Sequence, residues 1–584
     1  MTANPELITE RKIPTYADSI VFRFKTALLQ VRRSLVDLRG RNVGRHRVDE
    51  KLANHPLIAT SRTKLWTENE PQERFLVAGK IHNLRIAIEK LNGLEIPAGA
   101  TFSFWKHVGR ASGLRGFVEG RELREGCIIP NVGGGLCQIS NALYDAALQA
   151  GHEIVERHAH TQVIAGSLAE QGRDATVFWN YVDLRFRSDS AFRIEAKLKS
   201  DELVVRFRGK SNGSRAVHQI VRSTQTADVN SCATCEVGDC HRVVDAATHA
   251  DFGRAAFLVD EHSPEFDKYI TSVRDSNDIL LLPLDGRRFR KSNYAWKTTG
   301  FGKVRQSFFV TAKRSYRSRK LAAQGAARQK NLLRMYEELA ESYAKLLTYD
   351  VTHVTVQQSL LPFLWKRGHL GGRTFDVLMS GLPMHEIQKR LDVAFELNPE
   401  SKTLGDFRAD KDLIDAERDA LREARTIVTS HTEIASLFPN RSKLLDWNLP
   451  AVKESRSKPA NEKPVIVFPA STVGRKGCYE LREALAGIDT KIVILGPIIE
   501  GKNFWDGFEI ERGREDWLQI ADLVVLPAFI EHRPRRLLLA AANGIPVIAS
   551  PECGVTGLSG VNTVDAGDAA GLRRAIIEQL DVLK

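Results

Sequence analysis

Several things that would narrow the class of this protein at once are absent from its sequence. No run of about 18 apolar residues occurs in the 584 positions, so no membrane-spanning helix is expected. The opening stretch MTANPELITERKIPTYADSIVFRFK has acidic residues early and no apolar core, so a secretory signal is not expected either. Cysteine is scarce, seven in all, and three of the seven fall within nine residues, which does not suit an extracellular disulfide framework. A reducing, cytoplasmic setting is the expectation. Acidic residues are missing from one long stretch: Gly286 to Tyr336 holds fifteen Lys and Arg but no Asp or Glu, more than the whole net charge of +12. Such a run suits phosphate groups of anionic lipid, nucleotide or nucleic acid, and it equally suits a solvated helix and loop. No nucleic-acid motif accompanies it, so nucleic acid is not an expected partner.

What is present describes a globular chain, with 43% hydrophobic and 27% charged residues and length for roughly three domains. Residues 1–50 read as a basic helical extension, and Ile20–Val48 is periodically apolar enough to lie on a membrane surface. Residues 51–212 show a mixed α+β pattern, and 213–250 form a Cys-rich linker. From 251 a new rhythm begins, with the short apolar runs AAFLVDEH, DILLLPLD, THVTV, RTFDVLM and RTIVTS between helical stretches. A polar break at 453–463 interrupts it, and PVIVFPA, KIVILG, ADLVVLPA and IPVIAS resume it. Nearly continuous apolar strands alternating with helices predict parallel sheets covered on both faces. The predicted class is therefore α/β: an N-terminal α+β domain, then Rossmann-like domains at 251–452 and 453–584 facing a cleft.

The stretch NVGGGLCQISNALYDAALQAG, residues 131–151, sets three glycines and a cysteine before an amphipathic helix whose apolar face is Ile139, Leu143, Ala146 and Ala147. Three consecutive glycines indicate backbone that turns tightly or is closely approached. Cys137 then sits at the positive end of a helix dipole, which favours a thiolate; a buried small residue beside a turn would look the same. Downstream, EIVERHAHTQVI reads as a strand with Glu156, His158 and His160 on one face. In GRDATVFWNYVDLRFRS, Asp174 is expected to begin a strand and Asp183 to lie within it. Cysteine at a helix start, then histidine, then aspartate is the order of a thiol acyl-transfer site, with Cys137 as nucleophile, His158 or His160 as base and Asp174 as orienter. Metal ligation or simple hydrogen bonding by the two histidines are the other readings.

The segments GATFSFWKHVG, GGGLCQISNALYDAAL, IVERHAHT and GRDATVFWNYVDLRFRS resemble the VanW family, named for a gene associated with vancomycin-type glycopeptide resistance, over about residues 78–210. The resemblance implies a connection with cell-envelope or peptidoglycan metabolism. It assigns no activity, so the thiol site stands on spacing and residue type alone.

CATCEVGDC supplies Cys232, Cys235 and Cys240, with His241 adjoining. Three soft ligands this close suit zinc or an iron–sulfur cluster. A tetrahedral zinc site needs a fourth ligand; His241 is awkwardly adjacent to Cys240, and His218 and His249 are alternatives. Three free or redox-active thiols are the simpler reading.

Residues 251–584 resemble a GT-B glycosyltransferase of the retaining, nucleotide-sugar-dependent kind, chiefly through IEHRPRRLLLAAANGIPVIASPECGVTGLSG. The resemblance implies that Glu531 is the first of two donor-site glutamates, that Lys476 and Gly477 form the Lys–Gly of the phosphate-binding segment, and that a glycan or lipid-linked molecule accepts the sugar. The second glutamate's position is Leu539, and the expected arginine's is Ser471. Leu539 cannot accept a ribose hydroxyl. Lys476 can still stabilise charge growing on a departing phosphate, with Arg475 or the group Arg533, Arg535 and Arg536 as substitutes. Three readings are therefore open: sugar transfer in the C-terminal half, thiol acyl-transfer in the VanW-like region with a C-terminal half that only binds, or a binding or regulatory protein in which both halves keep their fold without chemistry. Peripheral contact with an anionic membrane fits either.

Overall fold

The computed structural model describes all residues except 1–15, 40–42, 68–70, 125–126, 161–166, 211–229, 232–251, 320–325, 407, 452–462, 514 and 583–584. The described residues fall into two compact units. One is drawn from Met1–Gly253, Thr348–Thr352 and Arg367–Arg373, the other from Arg254–Leu347, His353–Lys366 and Thr374–Lys584.

In the first unit an antiparallel sheet runs in the order Arg47–Val48, Leu94–Ile96, Phe192–Leu198, Glu202–Gly209 and Leu57–Lys64. FRIEAKL shows why it forms: Phe192, Ile194, Ala196 and Leu198 are buried, whereas Arg193, Glu195 and Lys197 between them are only partly covered. The helices Pro71–Leu91 and Cys137–Gln149 pack on this sheet and share its apolar core with Phe102, Phe186 and Phe207. Each such phenylalanine contributes about 1.5–3 kcal/mol by leaving water. Two three-stranded sheets complete the unit: Asn230–Ser231 with Cys127–Val132 and Glu119–Arg124, and Thr101–Ser103 with Arg185–Arg187 and Glu153–Glu156.

The second unit contains two wholly parallel sheets. Numbered along the chain, the strands of the first are Ala255–Leu258, Ile279–Leu282, Lys303–Gln306, His353–Gln357, Thr374–Leu378, Thr426–Thr429 and Ser442–Leu444, and they stand side by side as 3-2-1-4-5-6-7. Those of the second are Val465–Phe468, Lys491–Ile494, Glu509–Arg512, Leu523–Leu526, Val547–Ala549 and Val561–Thr563, in the order 3-2-1-4-5-6. This is the Rossmann order, in which the direction of winding reverses between strands 1 and 4 and leaves a crevice outside their carboxyl ends. The apolar runs in the sequence are its central strands, and the class is α/β with an N-terminal part built on antiparallel sheets.

Two local expectations need correction. The strand Glu153–Glu156 ends before either histidine, so period-two alternation does not carry from Glu156 to His160. Asp174 lies in an extended loop and Asp183 just precedes the strand Arg185–Arg187, because this backbone is tied to the Asn141 side chain, the His158 carbonyl and, at Asp183, the Glu156 side chain, and not to a strand partner.

Candidate functional site

The glycine run answers for itself residue by residue. Gly133 and Gly135 have φ of +85° and +93°, in the left-handed region that side chains disfavour. A Cβ on Gly134 would stand 2.3 Å from the carbonyl oxygen of Gly120. Asn83 fixes the turn, donating through Nδ2 to the carbonyls of Val118 (2.9 Å) and Gly134 (3.0 Å) and accepting from the Val118 N–H (2.9 Å). The helix Cys137–Gln149 starts directly after it, with Ile139, Leu143, Ala146 and Ala147 all wholly buried, so Cys137 is held half-buried at the helix N-terminus.

One turn further on, the same helix captures the loop that carries Asp174. Asn141 Oδ1 accepts from the Ala175 N–H (2.8 Å), and Ser140 Oγ donates to the Ala175 carbonyl (2.6 Å). Asp174 is buried and fully engaged. Its Oδ2 accepts from the His160 N–H (2.6 Å) and meets His160 Nδ1 (2.7 Å), while Oδ1 accepts from Arg157 Nη2 (2.7 Å). The Cys137 thiol faces the same loop, donating to the Val177 carbonyl (3.9 Å), three residues after Asp174. Burial opposes a charged imidazole here, but the hydrogen bond to Asp174 and the neighbouring Cys137 outweigh it and push the His160 pKa up to about 10. Burial likewise opposes the Asp174 carboxylate, yet His160 and Arg157 hold its pKa below the usual range.

The structure therefore brings Cys137, His160 and Asp174 together and leaves His158 out. His158 is 52% exposed, with Nε2 3.5 Å from Glu156 Oε1. Glu156 and Asp183 belong to a separate ion-pair cluster with Arg33 and Arg185. Sequence reasoning missed Arg157, which orients Asp174, and Asn141 and Ser140, which bring the Asp174 loop to the cysteine. The helical spacing of Ser140 and Asn141, three and four residues after Cys137, was the available sign.

The second cluster lies at the switch point of the second parallel sheet. Lys476 follows strand 1 and Glu531 follows strand 4, and Lys476 Nζ donates to Glu531 Oε2 (2.9 Å) and to the Ile530 carbonyl (2.7 Å). Gly477 has φ of +73°, and a Cβ there would stand 2.0 Å from the Pro527 carbonyl oxygen; this close approach sets the Lys476 loop against the strand-4 loop. Burial opposes ionisation of Glu531, but Lys476 prevails and the pKa falls to about 2. His431 Nε2 meets the Glu531 carbonyl (3.0 Å). His532 is held neutral by burial and by Lys476, its pKa pushed down to about 3, and its buried Nε2 has no hydrogen-bond partner among the described residues. Arg475 sits beside Lys476, half-buried. Of the other cationic substitutes, Arg533 pairs with Glu261 and Arg535 with both carboxylate oxygens of Glu265 (2.6 Å each), while Arg536 donates to the Pro469 carbonyl (2.7 Å) directly after strand 1.

Cys232, Cys235, Cys240 and His241, with His218 and His249, lie outside the described residues. Among the described residues no group of three or more His, Cys, Asp or Glu side chains is arranged to hold a metal ion, and no helix is long and apolar enough to cross a membrane.

The family model described as "VanW like protein" matches residues 79–208. The vancomycin B-type resistance protein VanW of Enterococcus faecalis is 29% identical over 165 residues, 27% of this chain and 58% of that protein. The uncharacterized protein YoaR of Bacillus subtilis is 31% identical over 126 residues, 21% of this chain and 41% of that protein. The matches thus span roughly half the length of those relatives. Among solved structures, sucrose-phosphate synthase from Thermosynechococcus elongatus aligns at 14% identity and TM-score 0.37, over 56% of this chain and 90% of that one. Anabaena Alr3699/HepE, solved with UDP and glucose, aligns at 13% identity and TM-score 0.33 over the same shares, 56% and 90%. Residues 79–208 are thus a VanW-like domain, holding Cys137, His160 and Asp174, in a chain that continues into two parallel sheets of Rossmann order.

Proposed function

We propose that the second unit is a glycosyltransferase of retaining type that moves a sugar from a nucleotide-sugar donor to a glycan or lipid-linked acceptor in cell-envelope glycan metabolism. The observation that carries this reading is the Lys476–Glu531 pair at the switch point of a 3-2-1-4-5-6 sheet, where open α/β sheets bind their ligands. Lys476 stabilises the charge that grows on the departing diphosphate, and Glu531 holds the lysine in place and accepts hydrogen bonds from the sugar. The unpartnered Nε2 of His532 provides a further polar contact for a hydroxyl. Leu539 supplies none, so the ribose is held by other groups. The acceptor's anionic part suits the acid-free segment 286–336, where Phe289, Phe308 and Phe309 form a ring cluster and Phe309 is 87% exposed among cations.

Thermal denaturation with UDP- and GDP-sugars tests the reading. Ligand at 100 times its Kd stabilises by about 2.7 kcal/mol, which raises Tm measurably. The rise is expected in the native chain and absent in the paired variant Lys476→Met with Glu531→Gln, which removes both charges and strands neither. No rise with any donor at saturating concentration overturns it.

A further inference from the structure

We infer that Cys137, His160 and Asp174 form a catalytic site independent of the sugar-transfer reading, one that takes acyl groups of amide or ester substrates onto the Cys137 sulfur as a thioester. Four observations converge on it. The nucleophile stands on the first residue of a 13-residue helix, where backbone N–H groups and the helix dipole favour negative charge. The thiol donates to the Val177 carbonyl of the loop that carries Asp174 (3.9 Å), and the His160 ring is fixed on that loop with Nδ1 2.7 Å from the buried Asp174 carboxylate. That carboxylate is itself set by Arg157 and by the His160 backbone N–H. Finally, Ser140 and Asn141 of the nucleophile's own helix bind the residue after Asp174, so all three groups are referred to one rigid element.

Cys478 provides a comparison inside the same chain. It too begins a helix after a left-handed glycine, Gly477, but it is wholly buried and burial pushes its thiol well above the usual range. Cys553 is likewise buried, its thiol pushed up to about 12. A helix start alone therefore makes no reactive cysteine; the imidazole and partial exposure distinguish Cys137.

The step balances without any further reagent. The Cys137 thiolate attacks the acyl carbonyl carbon, forming a C–S bond while the carbonyl electron pair moves to oxygen, within reach of the helix N-terminal N–H groups. The pair returns, the C–N or C–O bond breaks, and the His160 imidazolium gives its proton to the departing amine or alcohol. Water or a second amine then attacks the thioester and gives its proton to His160. The C–S bond breaks, restoring thiolate and imidazolium. Asp174 acts through His160 and is a positioning residue.

The test uses the full chain. With iodoacetamide at pH 7, peptide mass spectrometry is expected to find Cys137 alkylated at least ten-fold faster than Cys478 and Cys553, and His160→Gln is expected to remove most of that advantage. A pulse of p-nitrophenyl acetate is expected to leave one hydroxylamine-labile acetyl group on Cys137, absent in Cys137→Ser. Among the described residues, the titratable and charged groups around His160 include Cys137, Asp174 and, across Asp174, Arg157. Asp174→Asn is accordingly expected to shift the pH profile of labelling, and Asp174→Glu to restore it in part. Labelling of Cys137 no faster than the buried cysteines, a rate unchanged in folded His160→Gln, or no acetyl adduct on the native protein each overturns the proposal.

Discussion

The two clusters are built in opposite ways. In the first unit the cysteine, histidine and aspartate come from 38 consecutive positions, Cys137 to Asp174, and one helix both carries the cysteine and holds the aspartate loop. In the second unit Lys476 and Glu531 are 55 residues apart and meet only because strands 1 and 4 are neighbours in a parallel sheet. The first site depends on local geometry and the second on topology. Disturbing the Gly133–Gly135 turn should damage the first alone, whereas the second should respond mainly to its own buried charges.

The largest expected effect is at the thiol. Cys137→Ser should abolish acyl-adduct formation outright while leaving the far-UV circular dichroism unchanged. Next comes the buried ion pair. Lys476→Ala leaves Glu531 without its counter-ion and should cost about 3–5 kcal/mol in denaturant unfolding, whereas Lys476→Met with Glu531→Gln should cost markedly less. Gly135→Ala demands a left-handed alanine with its Cβ 2.1 Å from the Lys80 side chain, and should cost about 1–3 kcal/mol and slow labelling of Cys137. A stability difference insensitive to this substitution would break the view that the turn sets the site.

The pH response of the second site is smaller and has a definite sign. The pKa of Glu531 falls from 4.5 to about 2 on folding, so the stability this supplies is fully present above 4.5 and is lost as pH drops toward about 2. The stability gap between native protein and Glu531→Gln, followed by denaturant melts from pH 7 downward, should shrink through that window. Smallest of all, His158→Ala should alter Cys137 labelling less than two-fold, because that ring faces Glu156 and solvent. A large loss there would reassign the base.

What could be read in advance follows burial. Val465–Phe468, Leu523–Leu526 and Ile279–Leu282 are buried at every residue, so their sequences are continuous apolar runs and identify themselves. Lys303–Gln306 and Glu509–Arg512 are edge strands with no fully buried residue, and their polar sequences gave no such sign. The helix after Cys137 was legible from its periodicity. The loop conformation around His160 and Asp174 was not, because its partners are side chains and carbonyls on another element.

The sequence by itself determined the parallel α/β class of the second half, the helix start at Cys137, and which residues were chemically eligible, because these depend on periodicity and side-chain type. Only the tertiary structure decided that His160 and not His158 meets Asp174, that Lys476 pairs with Glu531, and that Arg533 and Arg535 are paired with Glu261 and Glu265. Those choices turn on where non-regular backbone is pinned by distant hydrogen-bonding groups, which no local pattern encodes.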